Sequence, residues 1–318
     1  MHLVSIIIPQ KATLQMMPIM LKKTMLWVFF ALLTAFSLST ADALSKRAMA
    51  PDRSTQGQAK SDEYVIAWVR EGYALPFIAL AFFFIPIPHL DKTFWLSVLV
   101  LLPLEIAALI LYVKAIKLSP LSLTIPYMAL SPVFIIIIAF SLLGELPDKS
   151  GFAGIFLITV GAYLLNAKAS SLGLLGPIKA IAKERGSVLM IIVAIIYSVT
   201  STIGKIAVQH SSPIFFGFFY PLLLTIALSI VVGAKGTLHG VVSRPATFLT
   251  IGIFTAIMIL SHFLAISMAD VAYVISIKRT SLIFSVLYGW VVFKEVDIGE
   301  RLLGSGLMLA GIVSITVF

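Results

Sequence analysis

The stretch "SPLSLTIPYMALSPVFIIIIAFSLLGELPDKSGFAGIFLITVGAYLL", Ser119 to Leu165, holds two apolar runs separated by one short polar break. Its features return 150 residues later. Ala115–Gly161 lies without a gap on Ala265–Gly311, so that Ser131 falls on Ser281, Glu145 on Glu295, Gly154 on Gly304 and Gly161 on Gly311. In both places an acidic residue just past an apolar run is followed by glycines nine and sixteen positions on. Upstream, "ALSKRAM" (Ala43–Met49) matches "TIGKIAV" (Thr202–Val208), which sets Lys46 opposite Lys205 at a shift of 159. The chain reads as an internal duplication.

The 318 residues are 60% hydrophobic and 12% charged. A water-facing domain is closer to about 45–50% apolar and about 25% charged. The excess comes in blocks of roughly 20 residues, the length that crosses a bilayer. Ten such blocks span about 25–44, 64–88, 94–116, 120–143, 150–167, 186–208, 213–233, 246–268, 271–293 and 299–318. Lipid offers the backbone no hydrogen bonds, so these blocks are expected as helices. The alternating ten-residue strands of a membrane barrel do not occur. The expectation is an all-α, multi-pass protein of the cell membrane with ten transmembrane helices. Five spans per half is odd, so the second copy enters from the opposite side. The result is two inverted five-helix repeats around a central cavity. The expected boundaries are a tail at 1–24, a first repeat at 25–167, a linker at 168–185 and a second repeat at 186–318. "LKKTMLWVFFALLTAFSLSTADA" (Leu21–Ala43) also has the layout of a cleaved signal peptide. Its match to Thr202–Val208 favours a retained first span.

The formal charge of +9 comes from lysines and arginines that lie singly or in pairs between spans. That pattern suits loops beside anionic lipid and not a nucleic-acid face. The absence of cysteine excludes disulfides, thiolate zinc sites and cysteine nucleophiles. The expected partners are a small-molecule metabolite and the bilayer, with no nucleic acid, cofactor or metal, for a monomer or homodimer.

"SPLSLTIPYMALSPVFIIIIAFSLLGELPDKSGFAGIFLITVGAYLL" and "IKRTSLIFSVLYGWVVFKEVDIGERLLGSGLMLAGIVSI" (Ile277–Ile315) each resemble the end of an EamA domain of the drug/metabolite transporter superfamily. The resemblance runs over about Met25–Phe318 and implies a ten-helix, two-domain permease with a central cavity. It also implies both termini inside. The odd-numbered loops carry most of the basic residues, which by the positive-inside rule puts both termini outside. Orientation is open.

Polar residues within spans are costly and mark candidate sites. In "VISIKRTSLIFSVLYGW" (Val274–Trp290), Lys278, Ser281, Ser285 and Tyr288 fall within about 80° of one another on a helix. Such a stripe suits a cavity wall, although Lys278 is near enough to a span end to snorkel. Arg279 points about 100° away, toward a neighbouring helix or the cavity rim. The Lys278–Arg279 pair resembles the ninth-span motif of the plastid phosphate translocators. There the cations hold the substrate's anionic group, which implies a phosphorylated or carboxylated metabolite. Glu105, mid-span, has two open roles: proton carrier for coupling, or counter-ion to Lys278, Arg279 or Arg70. Arg70 and Glu71 read as an interfacial pair, His262 as a helix-packing residue, and Glu145 and Glu295 as solvated caps or loop ion pairs. Pro126 and Pro132 should weaken the fourth span. The glycines should let helices approach closely.

The expected function is a secondary transporter working by alternating access, with proton coupling open and no catalytic residues. The alternative is an intramembrane enzyme acting on a membrane-soluble substrate, with Ser305 and His262 as a dyad. No HExxH motif or cluster of paired aspartates supports it.

Overall fold

A computed structural model describes residues 10–50, 62–82, 85–143, 149–269 and 271–317. Every regular element among them is helical: α1 (Gln10–Met49), α2 (Glu63–Gly72), α3 (Leu75–Phe82), α4 (Lys92–Leu118), α5 (Leu121–Thr124), α6 (Ser131–Leu143) and α7 (Lys149–Leu164). After these come α8 (Gly176–Lys183), α9 (Arg185–Gln209), α10 (Pro213–Ala234), α11 (Pro245–Ile266), α12 (Val271–Lys278), α13 (Ser281–Val291) and α14 (Ile298–Val317). Among the described residues seven segments are long and apolar enough to cross a membrane: Leu26–Met49 of α1, then α4, α9, α10, α11, Tyr273–Val291 across α12 and α13, and α14 from Ile298 to Thr316. Shorter apolar stretches are Leu121–Ile137 and Lys149–Leu164.

Local chemistry sets the helix ends. Asp91 accepts from the Phe94 N–H at 2.9 Å and caps α4. That bond and the neighbouring His210 hold the Asp91 carboxyl below its usual range. Ser212 caps α10 in the same way, and Pro213 occupies its first turn, where the missing N–H has no cost. Within "LSLTIPYMALSP", Pro126 and Pro132 each remove a helical donor. The chain answers with the tighter 3₁₀ form over Ile125–Leu130 and resumes as α6 at Ser131.

The repeat-equivalent segment breaks at the same register. α12 stops at Lys278, a turn follows at Arg279–Thr280, and α13 starts at Ser281, the counterpart of Ser131. No proline enforces this second break. The Thr280 hydroxyl instead donates to the Ile277 carbonyl at 2.7 Å and closes the turn.

The helix partners respect the duplication. α4 packs on α9 and α1 on α11, and these two pairs exchange when the halves are swapped. α7 pairs with α14 and α2 with α10, and each of these pairs maps onto itself. Hydrogen bonds give the directions. Lys46, near the end of α1, donates to the Ile116 carbonyl near the end of α4 at 2.7 Å, so α1 and α4 run parallel. Ser119, just past α4, bonds Glu184 at the start of α9, so α4 and α9 run antiparallel. α1 therefore runs against its repeat counterpart α9. α11 likewise begins where α1 ends, with Arg244 donating to the Ala48 carbonyl at 3.3 Å.

The α7–α14 contact depends on the duplicated glycines. A Cβ at Gly161 would sit 2.6 Å from the Gly304 carbonyl oxygen, and one at Gly154 would sit 2.6 Å from that of Gly311. The reverse approaches are equally tight, at 2.7 and 2.6 Å. Backbones meet here with no room for a side chain.

Glu295 departs from its expected role as a solvated residue. Its side chain is 8% exposed and accepts from the backbone N–H groups of Leu121 at 2.7 Å and Ser122 at 2.9 Å. α5 begins just after Pro120 with unsatisfied donors, and a carboxylate from 174 residues away supplies the acceptor. Arg301, 6% exposed, bonds the Ser122 hydroxyl and lies 3.5 Å from Glu295. Glu145 lies outside the described residues.

Gly161→Val should force α7 and α14 apart at a cost of about 1–3 kcal/mol or more. Thermal melting of the purified protein in detergent would show the loss, whereas Gly306→Ala, with open space around its Cβ, should melt as the parent does.

Candidate functional site

A cavity of about 570 Å³ lies between the halves. The paired breaks line it symmetrically: Ile125, Met128, Ser131 and Pro132 from one repeat stand against Ile275, Lys278, Ser281 and Leu282 from the other. Leu38 of α1 and its repeat counterpart Tyr197 of α9 also line it.

Both members of the Lys-Arg pair reach this space. Continuous helix geometry put Arg279 about 100° away from Lys278. Arg279 keeps the helical bond from its N–H to the Ile275 carbonyl at 3.0 Å, and both side chains nevertheless line the same chamber. Neither has an acidic partner within 4 Å among the described residues, and the Arg279 Nε is buried with no acceptor. His262 lines the same region, and its Nδ1 is likewise buried and unpartnered.

The stripe predicted along α13 divides. Ser281 faces the cavity, but Ser285 and Tyr288 do not line it. The Ser285 hydroxyl donates to Ser39 at 3.2 Å, and Tyr288 shares a 2.6 Å bond with Thr40. The Ser281 carbonyl also accepts from Ser39 at 2.8 Å. α1 lies directly on this part of α13, so the lower half of the stripe is a helix–helix contact and the upper half a wall.

Arg70 is not the interfacial partner of Glu71 that sequence suggested. It is 4% exposed and donates to Asp42 at 2.7 Å and to Ser45 at 3.3 Å. The Tyr112 hydroxyl donates to the second Asp42 oxygen at 2.7 Å, and the Arg70 guanidinium stacks 5.6 Å from the Tyr112 ring centre. One buried network thus ties α1, α2 and α4 together, with both carboxylate oxygens and the guanidinium satisfied. Asp42 was overlooked because it sits in the Ala-Asp-Ala end of the signal-like stretch. The available clue was an acid inside one apolar block and a base inside the next.

Glu105 accepts from Thr200 of α9 and has no cation within 4 Å among the described residues. It is therefore not the counter-ion of Lys278, Arg279 or Arg70 in this conformation. Asp42 already neutralises Arg70, and Glu105 faces α9 instead. Glu71, one residue past Arg70, lines the cavity without an ion pair and lies within electrostatic reach of Glu105. The chamber therefore has cations at the end of α12 and a carboxylate, Glu71, on α2. No group of three or more metal-ligating side chains occurs among the described residues.

This geometry joins a sequence-level match. The model of the EamA-like transporter family fits residues 25–167 and again 184–317. The chain belongs to the EamA-like transporter family. A solved crystal structure superposes on this EamA chain with a TM-score of 0.57, covering 92% of it and 96% of the other chain. Sequence identity is 17%, so that likeness shows the fold alone. No curated protein matches this EamA chain. It is a multi-pass membrane protein of two EamA repeats.

Removing one member of the buried pair leaves the other charge stranded, which typically costs about 3–5 kcal/mol. Arg70→Leu and Asp42→Leu should each lower the melting temperature sharply. The double variant should lose less than the sum of the two, which a double-mutant cycle of melting curves would read.

Proposed function

We propose that this chain is a secondary transporter that carries a small anionic metabolite across the cell membrane by alternating access. Its ten spans form two inverted five-helix repeats, at 25–167 and 186–318, joined by a linker at 168–185. The antiparallel course of α1 and α9, and the pairing of α1–α11 with α4–α9, support the inverted arrangement. α2–α3, α5–α6 and α7 supply the spans beyond the seven long segments.

One observation carries the substrate reading. Lys278 and Arg279 face a chamber large enough for a metabolite, and no acidic side chain among the described residues pairs with either. Two half-buried cations without counter-ions among the described residues are an incomplete arrangement, and an oxyanion would complete it. Lysine offers a compact charge and arginine a planar fork, so together they suit a carboxylate or phosphate group. Ser281 and the neighbouring apolar wall would hold the remainder, whereas Ser285 and Tyr288 serve the contact with α1.

Coupling to protons is the second part of the proposal. Among the described residues Glu105 has no ion pair and only the Thr200 hydroxyl beside it, an arrangement that suits a carboxylate exchanging a proton during the cycle. Glu71 stands between it and the chamber. The enzyme alternative loses ground on geometry. Ser305 is fully buried, its hydroxyl has no partner, and it lies outside the cavity that His262 lines.

Uptake into proteoliposomes tests the reading. Lys278→Ala should abolish uptake of anionic metabolites with melting behaviour retained, and unchanged uptake would remove Lys278 from the site. Glu105→Gln should uncouple uptake from an imposed proton gradient. A variant that keeps its full gradient dependence would exclude the proton role.

A further inference from the structure

The cavity is symmetric at its centre and asymmetric at its ends. The repeat-related pairs named above line it from both halves, but the next turn differs. Ile135 and Ile136 of α6 line the cavity, and Ile135 is 38% exposed. Their counterparts on α13, Ser285 and Val286, are fully buried against α1. Similarly, Ser201 of α9 is exposed at the cavity wall, whereas its counterpart Asp42 is buried.

Two repeat-related serines show the same difference at the level of single hydrogen bonds. Ser39 on α1 corresponds to Ser198 on α9, and Ser281 on α13 to Ser131 at the start of α6. In one half, the Ser39 hydroxyl crosses between helices to the Ser281 carbonyl at 2.8 Å. In the other half, both hydroxyls are turned back on their own helices. Ser198 donates to Ile195 at 2.6 Å and Ser131 to Met128 at 2.9 Å. The lysines that begin the next turn follow suit. Lys46 donates to the carbonyls of Ile116 and Ser119 that close the end of α4, whereas Lys205 is exposed. At one end a serine hydroxyl bridges the two halves, and at the other the equivalent hydroxyls bond locally, although both of those serines are buried as well.

We infer that the serine pairs are two alternating gates: Ser39 on Ser281 seals one mouth now, and Ser198 on Ser131 seals the other when the first releases. The inference rests on the transporter reading and deepens it by naming the atoms that exchange. In the opposite state, the Ser198 hydroxyl leaves the Ile195 carbonyl and donates to that of Ser131 as α9 closes on α6. Ser39 then folds back on Phe36, three residues before it, as Ser198 now does on Ile195. Ile135 takes the buried place that Ser285 holds. The Ser39 and Ser198 hydroxyls each trade one carbonyl acceptor for another, while Ser285 gives up its bond to Ser39 and turns to the chamber as Ile135 now does.

The chain has no cysteine, so the test can be made on introduced pairs alone. Ser39→Cys with Ser285→Cys places two sulfurs where oxygens now stand 3.2 Å apart. Ser198→Cys with Ile135→Cys is the repeat-equivalent pair. Each pair, and the four-cysteine chain, is oxidised in lipid vesicles and the disulfides are counted by intact mass after alkylation. Reduced variants are first matched to the parent in helicity and melting. The expected result is that each pair cross-links alone, while chains carrying both disulfides stay at least tenfold below the product of the two separate fractions. Failure of either pair to cross-link, or both forming together at that product, overturns the inference. The readout needs no transported substrate, so it is independent of the uptake assay. Exclusive cross-linking in a chain that transports no anion would sink the substrate reading and leave the gates standing.

Discussion

A helix can break inside a bilayer only where protein or water receives the freed backbone groups. The breaks at Leu130–Ser131 and Arg279–Thr280 therefore define the centre of this molecule. Because the two breaks are repeat-equivalent, they meet across the pseudo-symmetry axis and leave the chamber between them. The first rests on Pro126 and Pro132, the second on a threonine-closed turn. Everything that gives the chamber chemistry follows from where these helices stop.

The charges then sort by whether they are already paired. Asp42, Arg70 and Tyr112 satisfy one another and bind three helices into one unit, while Glu295 and Arg301 do the same for the start of α5. A buried ion pair of this kind adds little net stability over an apolar pair of equal shape, but it is costly to split. The first network holds three helices of one repeat in register, and the second joins the second repeat to α5 of the first. Lys278, Arg279, Glu71 and Glu105 have no such partner among the described residues, and they face or flank the chamber.

Much of the architecture was legible in the chain because it is encoded locally or by repetition. The apolar blocks, the 150-residue recurrence and the spacing from Glu295 to Gly304 and Gly311 are all one-dimensional signals. The close α7–α14 packing follows from the same glycines. What escaped was long-range. Asp42 and Arg70 are 28 residues apart and belong to different helices, so neither announces the other. The acceptor role of Glu295 depends on an N-terminus 174 residues upstream. Of the two surroundings that the helical wheel leaves open to Arg279, a neighbouring helix or the cavity rim, only the packed structure selects the cavity. Ser285 and Tyr288 share a face with Lys278 as predicted, but a face says nothing about which part of it another helix covers.

The contacts also differ in strength in a way that suits their positions. Hydrogen bonds between membrane helices are worth only about 0.6 kcal/mol on average, since an alternative partner is usually near. Those between α1 and α13 are of this neutral kind: Ser39 with Ser281 and Ser285, and Thr40 with Tyr288. Each of these serines has a carbonyl of its own helix within reach as a substitute, which keeps the barrier to release low. The ionic contacts lie off the α1–α13 seam. A carrier must hold its repeats firmly and its mouths loosely, and here the firm contacts are charged while the loose ones are hydroxyls.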